Sequence, residues 1–198
     1  MSDLLTVLER SRHLGFLGPG PVDEHVVHAE RFAVAHLGPP PDRAVDLGSG
    51  GGLPGLVLAG LWSSSQWWLV DSNERRTTFL AEAVDLLGLA DRVAVIRGRA
   101  EEIARGELLR HRTDLVTARS FGPPAVTAEC SAGFLRVGGQ LIVSEPPTAG
   151  GRWDPDGLAA IGMAIGPSIA GCQVLEQTTL CGDRYPRRVG IPAKRPLF

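Results

Sequence analysis

Residues 44–55 read Ala-Val-Asp-Leu-Gly-Ser-Gly-Gly-Gly-Leu-Pro-Gly, and this stretch decides the fold. Apolar alternation up to Leu47 predicts the end of a buried strand. The glycines that follow supply a backbone able to turn tightly and to approach a ligand with no Cβ in the way. Pro54 suits the first turn of a helix, where its missing N–H costs nothing. A strand, a glycine-rich turn and a helix N-terminus together make a common seat for a nucleotide-like cofactor.

Outward from this stretch, the chain alternates strand and helix. Upstream, apolar spacing predicts helices over residues 2–14 and 22–37, which cap the sheet. Downstream of a helix near 54–62, strands are expected at Trp67–Asp71, Val93–Ile96, Asp114–Ala118 and Gln140–Ser144. Helices are expected between them at Glu74–Leu87, Glu101–Leu109 and Ala125–Phe134, with Gly138 and Gly139 turning the chain before the fifth strand. Such alternation implies right-handed crossovers and a parallel, doubly wound sheet. The last part reads as a short helix at Leu158–Ile165 and two strands, Gln173–Leu180 and Val189–Ile191, which pair antiparallel because no crossover separates them. The expectation is an α/β fold: a mainly parallel seven-stranded sheet of the Rossmann-like methyltransferase kind with a C-terminal antiparallel hairpin. Residues 1–198 form one domain, with 1–40 as capping helices and 41–198 as the cofactor-binding core. The Pro- and Gly-rich run Pro146–Gly157 reads as a loop bordering the ligand crevice.

Composition narrows the function class. Apolar residues make up 43% and charged residues 21%, a globular balance, and a net charge of −2 argues against a uniformly basic nucleic-acid binder. Cys130, Cys172 and Cys181 stand far apart, so neither a disulfide framework nor a zinc site is expected. His25 and His28 share a helix face but have no third ligand in view, and no metal is expected there. No apolar run approaches the roughly 18 to 20 residues of a membrane span, and a cytoplasmic location is the expectation.

Two glycine frames overlap in the opening stretch. Gly50 to Gly55 satisfies G-x-G-x-x-G, and Asp71 lies 16 residues beyond it, which keeps a nicotinamide cofactor open. The other frame is Asp46-Leu-Gly48-Ser49-Gly50-Gly-Gly52, where the carboxylate at the strand end would repel a pyrophosphate. It suits a cofactor with an ammonium and a sulfonium, namely S-adenosylmethionine. Asp71 is placed to accept from ribose hydroxyls under either frame. Arg99 to Glu102 lies where backbone groups could read an adenine edge, or is simply a helix start with acids in its first turn. Arg119, at the end of the fourth strand, faces the same crevice.

Five segments together, VDLGSGGGLPG, LVDSNERRTTFL, GRAEE, DLVTARSF and YPRRVGIPAKRPL, resemble in order and spacing the ribosomal RNA small subunit methyltransferase G family over residues 40 to 198. The resemblance implies methylation of guanine N7 in 16S rRNA, and cofactor contacts from Gly48, Leu53, the Ala100–Glu101 backbone and Arg119. Two stretches depart from the family pattern. In the second helix Arg-His-Leu-Leu becomes Glu24-His25-Val26-Val27-His28, and after the fifth strand Lys-Gly becomes Ser144-Glu145-Pro146-Pro147, a cation replaced by an acid. A small-molecule methyltransferase, or a cofactor-binding protein without transferase activity, would also accommodate these changes.

Methyl transfer to N7 needs no general base, because the N7 lone pair of neutral guanine is already free. Trp153 and Arg119 are candidates to position the base, and Arg184, Tyr185, Arg187, Arg188, Lys194 and Arg195 form one locally basic tract able to contact the phosphates of 16S rRNA or the small ribosomal subunit.

Overall fold

The computed structural model describes residues 2–146 and 151–198. Seven strands form one sheet: β1 (Arg43–Leu47), β2 (Gln66–Asp71), β3 (Val93–Arg97), β4 (Thr113–Ala118), β5 (Leu135–Ser144), β6 (Met163–Ile169) and β7 (Cys172–Gln177), in the order β3-β2-β1-β4-β5-β7-β6. The first five run parallel, and β7 inserts antiparallel between β5 and β6.

The central strands β1, β2 and β4 are buried on both faces, so they are apolar almost throughout while the period of two still sorts their side chains. Trp67, Leu69, Leu115 and Ile142 join one core layer under α1 (Ser2–His13), α2 (Val22–Ala35), α3 (Gly55–Leu61) and α4 (Glu74–Leu86). Their neighbours Trp68, Val70, Val116 and Leu141 join the opposite layer. That layer is covered by α5 (Ala100–Ile103), α6 (Pro124–Ala132) and α7 (Pro155–Ala159). A last short helix, α8 (Ile191–Lys194), packs beside α6. Strand order reverses between β1 and β4, and their carboxyl ends open the crevice where ligands bind in such sheets.

The C-terminal hairpin forms, with one strand, β7, close to the expected Gln173–Leu180 and its partner from other residues than the sequence pattern suggested. The helix expected over Leu158–Ile165 is α7, which ends at Ala159, and its last expected residues, Met163–Ile165, open β6 instead; Val189–Ile191, expected to be a strand, leads into α8. The cause is local: Ile169 pairs with Cys172 across a two-residue turn, Ala170 and Gly171, with φ of 52° and 77°. Positive φ at both positions gives the turn whose twist matches a hairpin. Gly138 and Gly139 do not end a segment either, since β5 runs through them with a register shift against β4 between Thr113 and Leu115. The helix expected at Glu101–Leu109 is α5, which stops at Ile103. Part of the expected loop Pro146–Gly157, residues 147–150, lies outside the described residues.

Candidate active site

The glycine loop is fastened from below. Asp46, 1% exposed, accepts from Gly55 N–H at 3.1 Å and from the Thr117 hydroxyl at 2.9 Å. Burial raises its carboxyl to about 6, against the hydrogen bonds from Thr117 and Gly55 and the charge of Arg119. The loop is also tied sideways to the end of β2. Gly48 and Ser49 N–H donate to Val70 O at 2.8 and 3.0 Å, and Gly50 N–H donates to Asp71 Oδ2 at 2.9 Å. Gly52 N–H turns back to Ser49 O at 2.7 Å, and Ser49 Oγ donates to Asp46 O at 2.8 Å.

These bonds bear on the choice of cofactor. A dinucleotide site needs loop N–H groups aimed at a pyrophosphate. Here the N–H groups of Gly48, Ser49, Gly50, Gly52 and Gly55 are all engaged within the protein. These five donors are therefore not offered to a pyrophosphate, which suits a phosphate-free nucleoside.

Above the loop lies a cleft of about 310 Å³, a size within the range of small-ligand sites. Gly48 lines it with φ of +72°, and a Cβ there would stand 2.7 Å from the Phe121 ring. Asp71, 6% exposed, borders it and accepts from Asn73 N–H at 2.8 Å. Ala100 and Glu101 form another wall, and Val70, Phe121 and Val126 give apolar surface for a flat base. The Glu101 carboxylate itself turns away to Gly190 N–H at 3.0 Å. Burial would raise Glu101, yet this bond, its own N–H and Arg99 hold it below the usual carboxylate range.

Sequence reasoning grouped ten residues around the cofactor, and the structure divides them. Gly48, Asp71, Ala100 and Glu101 border the cleft. Asp46, Ser49, Gly50, Gly52 and Leu53 lie behind it and shape the loop, Leu53 being buried against Leu8, Val22 and Val57. The expected meeting of the Asp46 carboxylate with cofactor charge is thus corrected, because both carboxylate oxygens face Thr117 and Gly55. Arg119 borders a second cavity of about 400 Å³ instead. Its Nη2 donates to His25 Nδ1 at 2.8 Å. Since guanidinium only donates, this nitrogen must be the unprotonated one, and Nε2–H donates to Gly18 O at 3.1 Å. Arg119 Nη1 and His28 Nδ1 are buried with no hydrogen-bond partner among the described residues. Burial, with Arg119 and Arg31 nearby, lowers the His28 pKa.

Ser120, Phe121 and Gly122 line both cavities, so one short segment separates them. On the far side of the second cavity stand Glu145, Arg152 and Trp153. No group of three or more His, Cys, Asp and Glu side chains suited to a metal occurs among the described residues, nor any helix long and apolar enough to cross a membrane.

The basic tract is for the most part a strap bound to the core. Arg105 donates to the carbonyls of Asp183, Arg184 and Pro186 at 3.2, 2.9 and 2.8 Å, and Arg110 to that of Tyr185 at 3.1 Å. Tyr185 is 5% exposed, with the Arg184 guanidinium 4.8 Å from its ring centre. Arg187 is gripped by the fully buried carboxylate of Glu129, which also accepts its N–H at 2.8 Å. The expected free phosphate contacts at Tyr185 and Arg187 are corrected accordingly. Arg184, Arg188, Lys194 and Arg195 remain exposed. The strap also brings Ala193 to the cleft wall, which no local sequence signal announced.

Comparison with known proteins places this arrangement. Residues 28–145 match the family described as rRNA small subunit methyltransferase G. The ribosomal RNA small subunit methyltransferase G of Moorella thermoacetica is 32% identical over 186 residues, covering 88% of this chain and 77% of the relative. That of Synechococcus elongatus is 33% identical over 172 residues, covering 77% and 68%. In fold, the chain is similar to a putative O-methyltransferase from Klebsiella pneumoniae, with a TM-score of 0.63 at 13% identity over 89% of this chain and 90% of that one. A Corynebacterium glutamicum protein is similar at a TM-score of 0.62 and 17% identity, over 90% and 91%. By the family match and these relatives, the chain belongs to the rRNA small subunit methyltransferase G family.

Proposed function

We propose that this chain transfers a methyl group from S-adenosylmethionine to N7 of a guanine in small-subunit rRNA. The observation that carries this reading is the segment Ser120–Gly122, which borders both the nucleoside-sized cleft and the second cavity. A donor in one and an acceptor base in the other would face each other there. S-adenosylmethionine supplies a methyl group on a positively charged sulfur, ready for attack by a neutral nucleophile. Gly48 gives it room, Asp71 accepts from its ribose hydroxyls, and the backbone of Ala100 and Glu101 reads its base. Arg119, held by His25, fixes the charged end or the acceptor.

No protein group removes a proton, since N7 carries a free lone pair. The chain's contribution is to hold two reactants in line, an effect of about 7 to 11 kcal/mol in well-oriented cases. Arg184, Arg188, Lys194 and Arg195 meet RNA phosphates, while Arg187 and Tyr185 shape the surface that presents them. The capping helices and the cofactor-binding core work as one unit, because His25 on a capping helix reaches Arg119 just past the end of β4.

The test is transfer of labelled methyl from S-adenosylmethionine to small-subunit particles from cells lacking this protein, followed by nucleoside analysis. Label in 7-methylguanosine is the expected result, and RNA that stays unlabelled overturns the reading. Calorimetry against S-adenosylmethionine and a nicotinamide dinucleotide checks the cofactor separately.

A further inference from the structure

Among the described residues that line the second cavity, one carries a carboxylate, Glu145. It is held in place: Oε1 accepts from the Trp153 indole N–H at 3.0 Å, Oε2 from Arg152 Nη1 at 2.9 Å, and its backbone N–H donates to Gly171 O at 2.9 Å. Its side chain is 11% exposed. Each carboxylate oxygen can accept about two hydrogen bonds, so one acceptor site on each remains.

We propose that Glu145 reads the acceptor base, accepting from guanine N1–H and from its 2-amino group; this rests on the guanine-N7 reading above. The two donors lie side by side on one edge of guanine, and N7 lies on the opposite side of the ring. A base pinned by that edge against Glu145 presents N7 away from the carboxylate, towards the rest of the cavity and the Ser120–Gly122 segment. Adenine offers an unprotonated N1 at the same place and would set its lone pair against the carboxylate. Hypoxanthine keeps N1–H but lacks the amino group.

The same contact favours the reaction. As the N7 lone pair forms the new N–C bond, the C–S bond breaks with its electrons left on sulfur, and the positive charge passes to the purine with no proton lost. N1–H becomes more acidic as that charge develops. Its hydrogen bond to Glu145 is therefore stronger in the transition state than before it, the condition for a contact to accelerate a step. Arg119 Nη1, buried and without a partner among the described residues, is a donor of the kind that O6 accepts.

The experiment titrates the full chain, saturated with S-adenosylhomocysteine, with GMP, IMP and AMP, using ligand-detected NMR for the weak constants. The wild type should bind GMP about tenfold or more tighter than IMP, the loss expected for one hydrogen bond to a charged group. In E145Q the amide offers one acceptor and one donor. GMP and IMP should then bind within twofold of each other, and AMP should improve relative to GMP, a gain that misfolding cannot imitate. E145A should also lose the GMP preference while keeping its S-adenosylhomocysteine affinity. The inference is overturned by a wild type that binds no GMP or does not prefer it, by variants that keep the preference, or by variants that no longer bind S-adenosylhomocysteine, since Glu145 would then serve the fold alone. Wild-type rates of rRNA labelling by E145Q overturn it without touching methyl transfer. Unlabelled rRNA beside an intact GMP preference overturns methyl transfer to rRNA and leaves the base pocket.

Discussion

Arg187 and Glu129 form a two-pronged ion pair, Nη2 to Oε2 at 2.6 Å and Nε to Oε1 at 2.9 Å, that bolts the C-terminal strap to helix α6. Glu129 is 0% exposed, and the Arg187 side chain is 25% exposed. Arg187→Ala leaves a buried carboxylate without its partner, which costs about 3 to 5 kcal/mol. Urea denaturation should show the loss, with Glu129→Gln less affected than Arg187→Ala. An Arg187→Ala protein as stable as the wild type would show that the pair is not what holds the strap.

The neighbouring cation behaves differently. Arg188 is exposed, so Arg188→Ala should leave stability within about 0.5 kcal/mol. In RNA binding measured from low to high salt, it should weaken affinity and reduce the slope of log affinity against log salt by about one. An unchanged slope would remove Arg188 from the RNA surface.

Asp46 gives the chain an acid-side signature. Its carboxyl is raised to about 6 in the fold, against an ordinary value of 3.8, so the folded state holds this proton more tightly than the unfolded chain. The resulting stabilisation is fully present below about pH 4 and is lost as pH rises through about 6, amounting to about 3 kcal/mol. Asp46→Asn should remove this contribution. The difference in unfolding free energy between wild type and variant should therefore shift in the variant's favour from pH 4 to pH 7, and a difference independent of pH would place the titration elsewhere.

His25 can hold Arg119 only through an unprotonated Nδ1. His25→Ala withdraws the acceptor and should weaken S-adenosylmethionine binding or transfer about tenfold, the effect of one hydrogen bond to a charged group. Calorimetry and single-turnover labelling separate the two. Equal values for variant and wild type in both would detach His25 from the site.

What the sequence revealed followed the range of each interaction. The strand–loop–helix of residues 43–61 was legible because alternation, glycines and Pro54 act between near neighbours. The antiparallel ending was legible as a topology and in β7, but not in the residues of its partner strand β6. Ala170 in a left-handed conformation is an uncommon turn residue, and Gly138–Gly139 looks like a turn yet lies inside β5. Asp71 and Gly48 were found at the cleft because strand ends and loops locate them in any sheet of this order. Arg187 was misread because its charge is visible in the sequence and its partner, 58 positions away, is not. The same distance problem hid the contacts of Arg119 with His25, 94 positions apart, although each residue had drawn notice separately.

The strap has a consequence for how the protein is made. One wall of the cleft is Leu47 and Gly48, and another includes Ala193. During synthesis the glycine loop leaves the ribosome long before the segment that completes its cleft, and a nascent chain must keep an open, partly apolar trough until Arg105, Arg110 and Glu129 capture the arriving strap. Contacts so distant in sequence form slowly. Competence to hold a methyl donor is therefore a late event in the birth of this chain, timed by the docking of its C-terminal segment.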